Sequence, residues 1–327
     1  MKQKGLFPQF IEGLKAKRNE FKELKADAEK RKDWEAYEQY EIAQLAIKLY
    51  MNASYGCFGF GSFEFRDKRT AELITAIGRK FATGAKELAE SDKYKFVCVY
   101  GDTDGLILKS QDEDDPNQQE RLEQLLQECY TRFKLPIEND RNFIEVTPIE
   151  KKQYLGIDAK NDKVIVKGLE AKKHDACPFN ARQFARFISN YEKGIDPISD
   201  IAQGLETLRR GEVSPKDLGI TVKVNQESYV EGSAMGKLVS RMRARQGDMI
   251  TYYLTSRKGN AWSPDPRDAS ISKYMREHLT DLGKVLYAMG YDVDALYGPD
   301  INASAELLKR RERNDKGNKS KGRKQCK

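Results

Sequence analysis

The sequence predicts an α+β fold in which a long helical hairpin leads into antiparallel sheet and then into a mainly helical C-terminal part. Three observations carry that expectation. Apolar residues recur at helical spacing through residues 6–53, the pattern shifts to short apolar and β-branched runs around Gly101-Asp102-Thr103-Asp104-Gly105, and helical spacing returns from about residue 178. With 327 residues, 39% of them apolar, the chain is long enough for two or three subdomains.

Phe7, Phe10, Ile11, Leu14, Phe21 and Leu24 mark a first helix over 6–31, and Tyr37, Ile42, Leu45, Ala46 and Leu49 a second over 33–53. A charged, glycine-free turn joins them. The glycine-aromatic stretch Tyr55–Phe65 is expected to end the second helix, and a third covers 70–90. Tyr94–Tyr100 and Leu106–Leu108 then flank a tight hairpin turn, followed by a polar loop at 111–119 and a helix at 120–133. Gln153–Ile157 and Lys163–Lys167 read as a second strand pair around Lys160-Asn161-Asp162. Beyond a boundary near 170–178 lie helices at 178–192, 199–210, 231–245 and 270–289, with one strand at Met249–Leu254. The expected subdomains are 1–56, 57–175 and 176–300, with 301–327 as a basic disordered tail.

Net charge is +7, from 58 basic and 51 acidic residues, but Lys309–Lys327 alone carries +8 and leaves −1 for residues 1–308. Any polyanion bound by the folded body must therefore meet locally segregated charge. The five cysteines, Cys57, Cys98, Cys129, Cys177 and Cys326, are scattered without the close pairs of a zinc or redox motif. With only His174 and His278 as imidazoles, a structural metal cluster is not expected. No run of 18 apolar residues and no signal-peptide core is present, so no membrane partner and an intracellular location are expected.

Asp102 and Asp104 stand one residue apart at a predicted hairpin tip. In extended backbone such side chains share a face, and their oxygens suit a hard cation such as Mg²⁺. Asp and Gly also build ordinary polar turns. Lys48, Asn52 and Tyr55 fall at steps of four and three on one helical face, with Gly56 next, while Arg18 and Lys22 share a face of the preceding helix. Antiparallel packing would let these cations converge on a triphosphate, with Tyr55 and Gly56 near a base pair. Two solvated helix faces would read the same way.

The order of these pieces resembles the family B DNA polymerases. Lys48-Leu49-Tyr50-Met51-Asn52-Ala53-Ser54-Tyr55-Gly56 resembles the family's motif B, and Tyr100-Gly101-Asp102-Thr103-Asp104-Gly105 its motif C. Lys151-Lys152-Gln153-Tyr154 resembles the Lys-Lys-x-Tyr element after the palm, and Lys167-Gly168-Leu169-Glu170 the opening of the thumb. Gly5-Leu6-Phe7-Pro8 resembles the lead-in to the fingers. The resemblance implies a helical fingers hairpin, an antiparallel palm sheet and a mainly helical thumb. It also implies template-directed nucleotidyl transfer on primer-template DNA from deoxynucleoside triphosphates, using two Mg²⁺ ions.

By resemblance, Asp104 matches the metal-bridging carboxylate and Asp102 its less direct neighbour. Arg18, Lys22 and Lys48 match the cations that hold the triphosphate, and Asn52, Tyr55 and Gly56 lie beside the nascent pair. Lys151, Lys152, Tyr154 and Lys167 match elements that track the DNA backbone, although edge lysines also protect sheets from aggregation. The basic run Lys237, Arg241, Arg243, Arg245, Arg257 and Lys258 suits a thumb surface on duplex DNA, or an ordinary basic face. Ala53 and Gly105 stand where the family has Ser. The family's first palm motif, an Asp shortly before Ser-Leu-Tyr-Pro-Ser, is missing from these 327 residues, as is an exonuclease domain. The chain thus resembles the small subunit of a split archaeal-type or viral enzyme, nucleoid-associated, whose N-terminal polymerase/exonuclease polypeptide supplies the other Asp. The alternative is a catalytically silent primer-template-binding subunit.

Overall fold

The computed structural model describes residues 4–112, 114–169, 176–230, 232–256 and 261–309. Contacts divide the chain into two compact units, Met1–Pro136 and Ile137–Lys327. The first opens with helices α1 (Leu6–Lys30) and α2 (Trp34–Gly59). Asp33 starts α2 by accepting from the Ala36 amide at 3.1 Å. The helices run antiparallel, since Phe7 meets Phe58, Phe10 meets Tyr50 and Phe21 meets Tyr40. Helix α2 ends at Gly59, inside the expected Tyr55–Phe65 stretch but six residues past the expected 53. A helical glycine costs only about 1 kcal/mol, and the edge contact of Phe58 with Phe7, at 4.7 Å between centroids, holds the last turns.

Helix α3 (Lys68–Ala89) begins at Asp67, which accepts from the Arg69 amide and the Thr70 hydroxyl. Its C-terminal half packs on α4 (Gln118–Phe133), where Phe81 and Phe133 meet edge to face at 5.3 Å. The same half of α3 supports the antiparallel hairpin of β1 (Phe96–Asp102) and β2 (Gly105–Ser110), with Tyr94, Phe96, Ala85 and Ala89 buried.

The second unit begins with an antiparallel sheet in the order β3 (Phe143–Glu150), β4 (Gln153–Asp158), β5 (Val164–Lys167). The β4–β5 pair matches the sequence expectation, whereas β3 adds a strand that the sequence pattern does not reveal. Helices α5 (Pro178–Glu192) and α6 (Ile198–Arg209), the single turn α7 (Pro215–Leu218) and helix α8 (Ala234–Met242) follow. A small sheet joins β6 (Ile220–Lys223), β7 (Met249–Leu254) and β8 (Trp262–Ser263). Helices α9 (Ile271–His278) and α10 (Lys284–Ala288) are joined through a π turn, Leu279–Gly283, and α11 (Val293–Tyr297) follows.

One core runs through this unit, around Phe187, Leu205, Tyr274 and Leu286. Ile149, Leu155 and Leu169 belong to it. The β3–β5 sheet therefore packs with the C-terminal helices, and the units divide upstream of the expected 170–178 boundary. Residues 303–309, inside the segment expected as a tail, are helical and bury Ala303 and Leu307 in the same core. Arg257, Lys258, Glu170 and residues 310–327 lie outside the described residues.

Candidate functional site

Asp102 is the last residue of β1 and pairs with Gly105, so Thr103 and Asp104 form a two-residue turn. Thr103 has φ +55°, a left-handed conformation that is uncommon for a β-branched residue. Its hydroxyl donates to Asp102 Oδ1 at 3.2 Å, and the Asp104 amide donates to the Asp102 carbonyl at 2.7 Å. The strand-alternation argument for one shared face therefore fails here, because the left-handed turn interrupts the extended backbone. The turn carries both carboxylates, Asp102 half-buried and Asp104 exposed.

Upstream, a β-bulge between Cys98 and Tyr100 shifts the register of the strand that ends at Asp102. Glu90, at the end of α3, accepts the Cys98 amide at 3.2 Å through Oε1, while Oε2 takes the Lys86 ammonium at 2.6 Å. Those two donors hold the Glu90 carboxyl below its ordinary value, the lysine first. Sequence reasoning missed Glu90, because a carboxylate at a helix end reads as a surface charge.

On the helical hairpin, Arg18 Nε donates to Gln44 Oε1 at 3.3 Å, Gln44 donates to Glu41, and Glu41 takes Lys25 at 2.7 Å. Gln44 is buried, so this polar seam fixes the register of α1 against α2 and holds Arg18 in it. Lys22 and Lys48 are exposed and have no hydrogen bond or ion pair among the described residues. Asn52 is exposed on the face of Lys48, and Tyr55 donates weakly to the Ala71 carbonyl of α3 at 3.4 Å. A Cβ at Gly56 would meet nothing within 4 Å among the described residues, so no packing among them calls for glycine there. Helix α3 links these parts, touching α2 with one end and the β1–β2 hairpin with the other.

In the second unit, Tyr154 pairs directly with Lys167 across β4 and β5, and Lys151 and Lys152 form the β3–β4 turn. Three of the predicted DNA-contacting lysines and Tyr154 thus share one end of the sheet, a basic edge formed by the β3–β4 turn and the end of β5. The Tyr154 ring packs edge-on against Phe143 at 5.9 Å, and burial raises its hydroxyl above the ordinary value. Arg241, Arg243 and Arg245 end α8 and begin the loop after it, all exposed, and none of their guanidinium groups is paired among the described residues.

An oxygen-only pair from Asp102 and Asp104 fits a hard divalent cation in kind but not in number. No group of three or more His, Cys, Asp or Glu placed to hold a metal occurs among the described residues. The hairpin turn can contribute ligands to such a centre without completing it.

The first unit thus carries a helical hairpin with exposed cations and an Asp-Thr-Asp turn, and the second a basic end of a three-stranded sheet. The DNA polymerase family B profile matches residues 1–289, and the chain belongs to that family. It is 34% identical over 336 residues to the DNA polymerase alpha catalytic subunit of Oxytricha trifallax, covering 93% of this chain and 22% of that protein. It is 31% identical over 283 residues to DNA polymerase 1 of Aeropyrum pernix, covering 79% of this chain and 28% of that one. The chain spans less than a third of the length of these relatives. Its fold is similar to the family B DNA polymerase from Pyrobaculum calidifontis, with a TM-score of 0.52 at 18% identity, covering 89% of this chain and 38% of that one.

Proposed function

We propose that this chain is the C-terminal part of a DNA-dependent DNA polymerase, carrying the nucleotide-binding fingers, the motif C half of the metal centre and the thumb. The observation that carries the reading is the joint presence, in one compact unit, of the Asp102–Asp104 turn and a helical hairpin whose Lys22 and Lys48 have no internal partner among the described residues. An internal ion-pair role would have consumed those charges.

In this reading Arg18, Lys22 and Lys48 bind the incoming triphosphate by charge-assisted hydrogen bonds. Asn52, Tyr55 and Gly56 lie against the forming base pair, where a helix surface without a side chain at Gly56 allows close approach. Asp104 and Asp102 hold magnesium, which when bound activates the primer 3′-hydroxyl and stabilises the departing pyrophosphate. Two carboxylates from one turn leave that centre short of oxygens. A second polypeptide segment, carrying the first palm motif and the exonuclease, supplies the remaining Asp. Leu73, Ile74 and Ile77, exposed on the helix that supports the hairpin, give it apolar surface to cover. Lys151, Lys152, Tyr154 and Lys167 follow the primer-template backbone, and Arg241, Arg243 and Arg245 grip the duplex behind it.

A catalytically silent primer-template-binding subunit is the second reading, favoured by the incomplete metal centre among the described residues. Primer extension separates the two. The purified chain should bind primer-template DNA without extending it, and extension should begin when the N-terminal half is added. Extension by the 327-residue chain alone would refute the need for a companion, and no extension with the companion present would favour the silent subunit.

A further inference from the structure

Gly168 closes the β5 strand with φ +67°, and in this it differs from other left-handed glycines of the same unit. Around Gly194, Gly211, Gly232, Gly247 and Gly290 an added Cβ would meet nothing within 4 Å among the described residues. Those positions need only the dihedral. At Gly168 a Cβ would lie 2.0 Å from the Lys152 carbonyl oxygen and 3.1 Å from Gln153 Cγ. A backbone oxygen cannot swing aside as the end of a flexible side chain can.

The ladder explains why the turn cannot give way. Glu150 pairs with Gln153 across β3 and β4, so Lys151 and Lys152 are the whole of the turn. Lys152 is itself left-handed, with φ +66°. On the other side Tyr154 pairs with Lys167, immediately before Gly168. A side chain at 168 must push the Lys152 peptide away or undo the Tyr154–Lys167 pair. Either movement displaces the exposed lysines at 151, 152 and 167, which stand on this edge.

We propose that Gly168 is a positioning residue for nucleic acid. Its bare Cα lets the Lys152 carbonyl lie against it, and this close approach locks the Lys151–Lys152 turn to the end of β5 so that three lysines face a phosphate backbone as one rigid edge. The inference rests on the reading of that edge as a DNA contact.

The test is the salt dependence of primer-template binding by the full 327-residue chain, followed by fluorescence anisotropy between about 50 and 200 mM NaCl, where phosphate neutralisation dominates the slope. The triple variant Lys151→Ala, Lys152→Ala, Lys167→Ala sets the scale, flattening the log–log slope by about 0.9 for each phosphate it no longer neutralises. Gly168→Ala should flatten it to a similar degree. Gly168→Asn should do the same, because Asn tolerates the left-handed dihedral yet brings the same Cβ. A fraction of misfolded protein scales the apparent Kd by a constant factor and leaves the slope intact, so partial folding does not imitate the effect. A wild-type slope in either Gly168 variant would overturn the proposal; in Asn alone it would show that only the dihedral matters. A wild-type slope in the triple-lysine variant would instead overturn the DNA reading of the edge.

Discussion

Acid should weaken the C-terminal unit through His278. This side chain is 1% exposed on α9, with Nδ1 2.6 Å from the Tyr297 hydroxyl and the ring beside Phe179. Burial lowers its pKa from 6.5 to about 4. The unfolded chain therefore binds a proton that the folded unit refuses between those values. Stability from this group is complete above pH 6.5, falls as pH drops through that window, and is lost by about pH 4. A difference of about 2.5 pKa units at 1.36 kcal/mol each amounts to about 3 kcal/mol. Trp262 lies in this unit and exposed Trp34 in the other, so Trp34→Phe leaves a fluorescence signal specific to the C-terminal unit. Urea unfolding of that variant from about pH 7 to about pH 4 should lose about 3 kcal/mol more than the same protein with His278→Gln, once the common loss from carboxylates is subtracted. Parallel pH profiles for the two proteins would refute the reasoning.

Two further outcomes follow from the site. Glu90→Ala frees the Cys98 amide at the bulge and should raise the magnesium concentration needed for half-maximal extension by the assembled enzyme, while Glu90→Gln, which keeps an acceptor oxygen, should restore it; equal defects would argue against a role through that amide. Deleting residues 310–327 removes nine Lys and Arg and should flatten the salt dependence of DNA binding uniformly across template sequences, and an unchanged slope would assign the tail to another acidic surface.

Long periodic helices and the Asp-Thr-Asp hairpin were legible because their signals are local. The pattern at 178–192 matches α5, and Met249–Leu254 matches β7. Strand β3 was hidden by Pro148 and by register shifts at both ends, which break the alternation that marks a strand. Strands β6 and β8, of four and two residues, are too short to show a period. The glycine-aromatic stretch Tyr55–Phe65 does contain the end of α2, but aromatic packing carries the helix six residues past the expected 53. Residue types pointed to Asp102, Asp104, Lys22 and Lys48, whereas the contact of Glu90 with the Cys98 amide and the approach of the Lys152 carbonyl to Gly168 involve distant backbone that no spacing rule encodes.

The central claim is that the chain's hairpin carboxylate holds the catalytic metal while its helical hairpin holds the nucleotide. Single-turnover incorporation by the assembled enzyme, measured across deoxynucleotide concentrations, tests it most directly. Asp104→Ala should abolish incorporation at every concentration, and Lys48→Ala should shift the dependence to higher nucleotide with the maximal rate largely kept. Equal, mild defects in both variants would contradict the assignment.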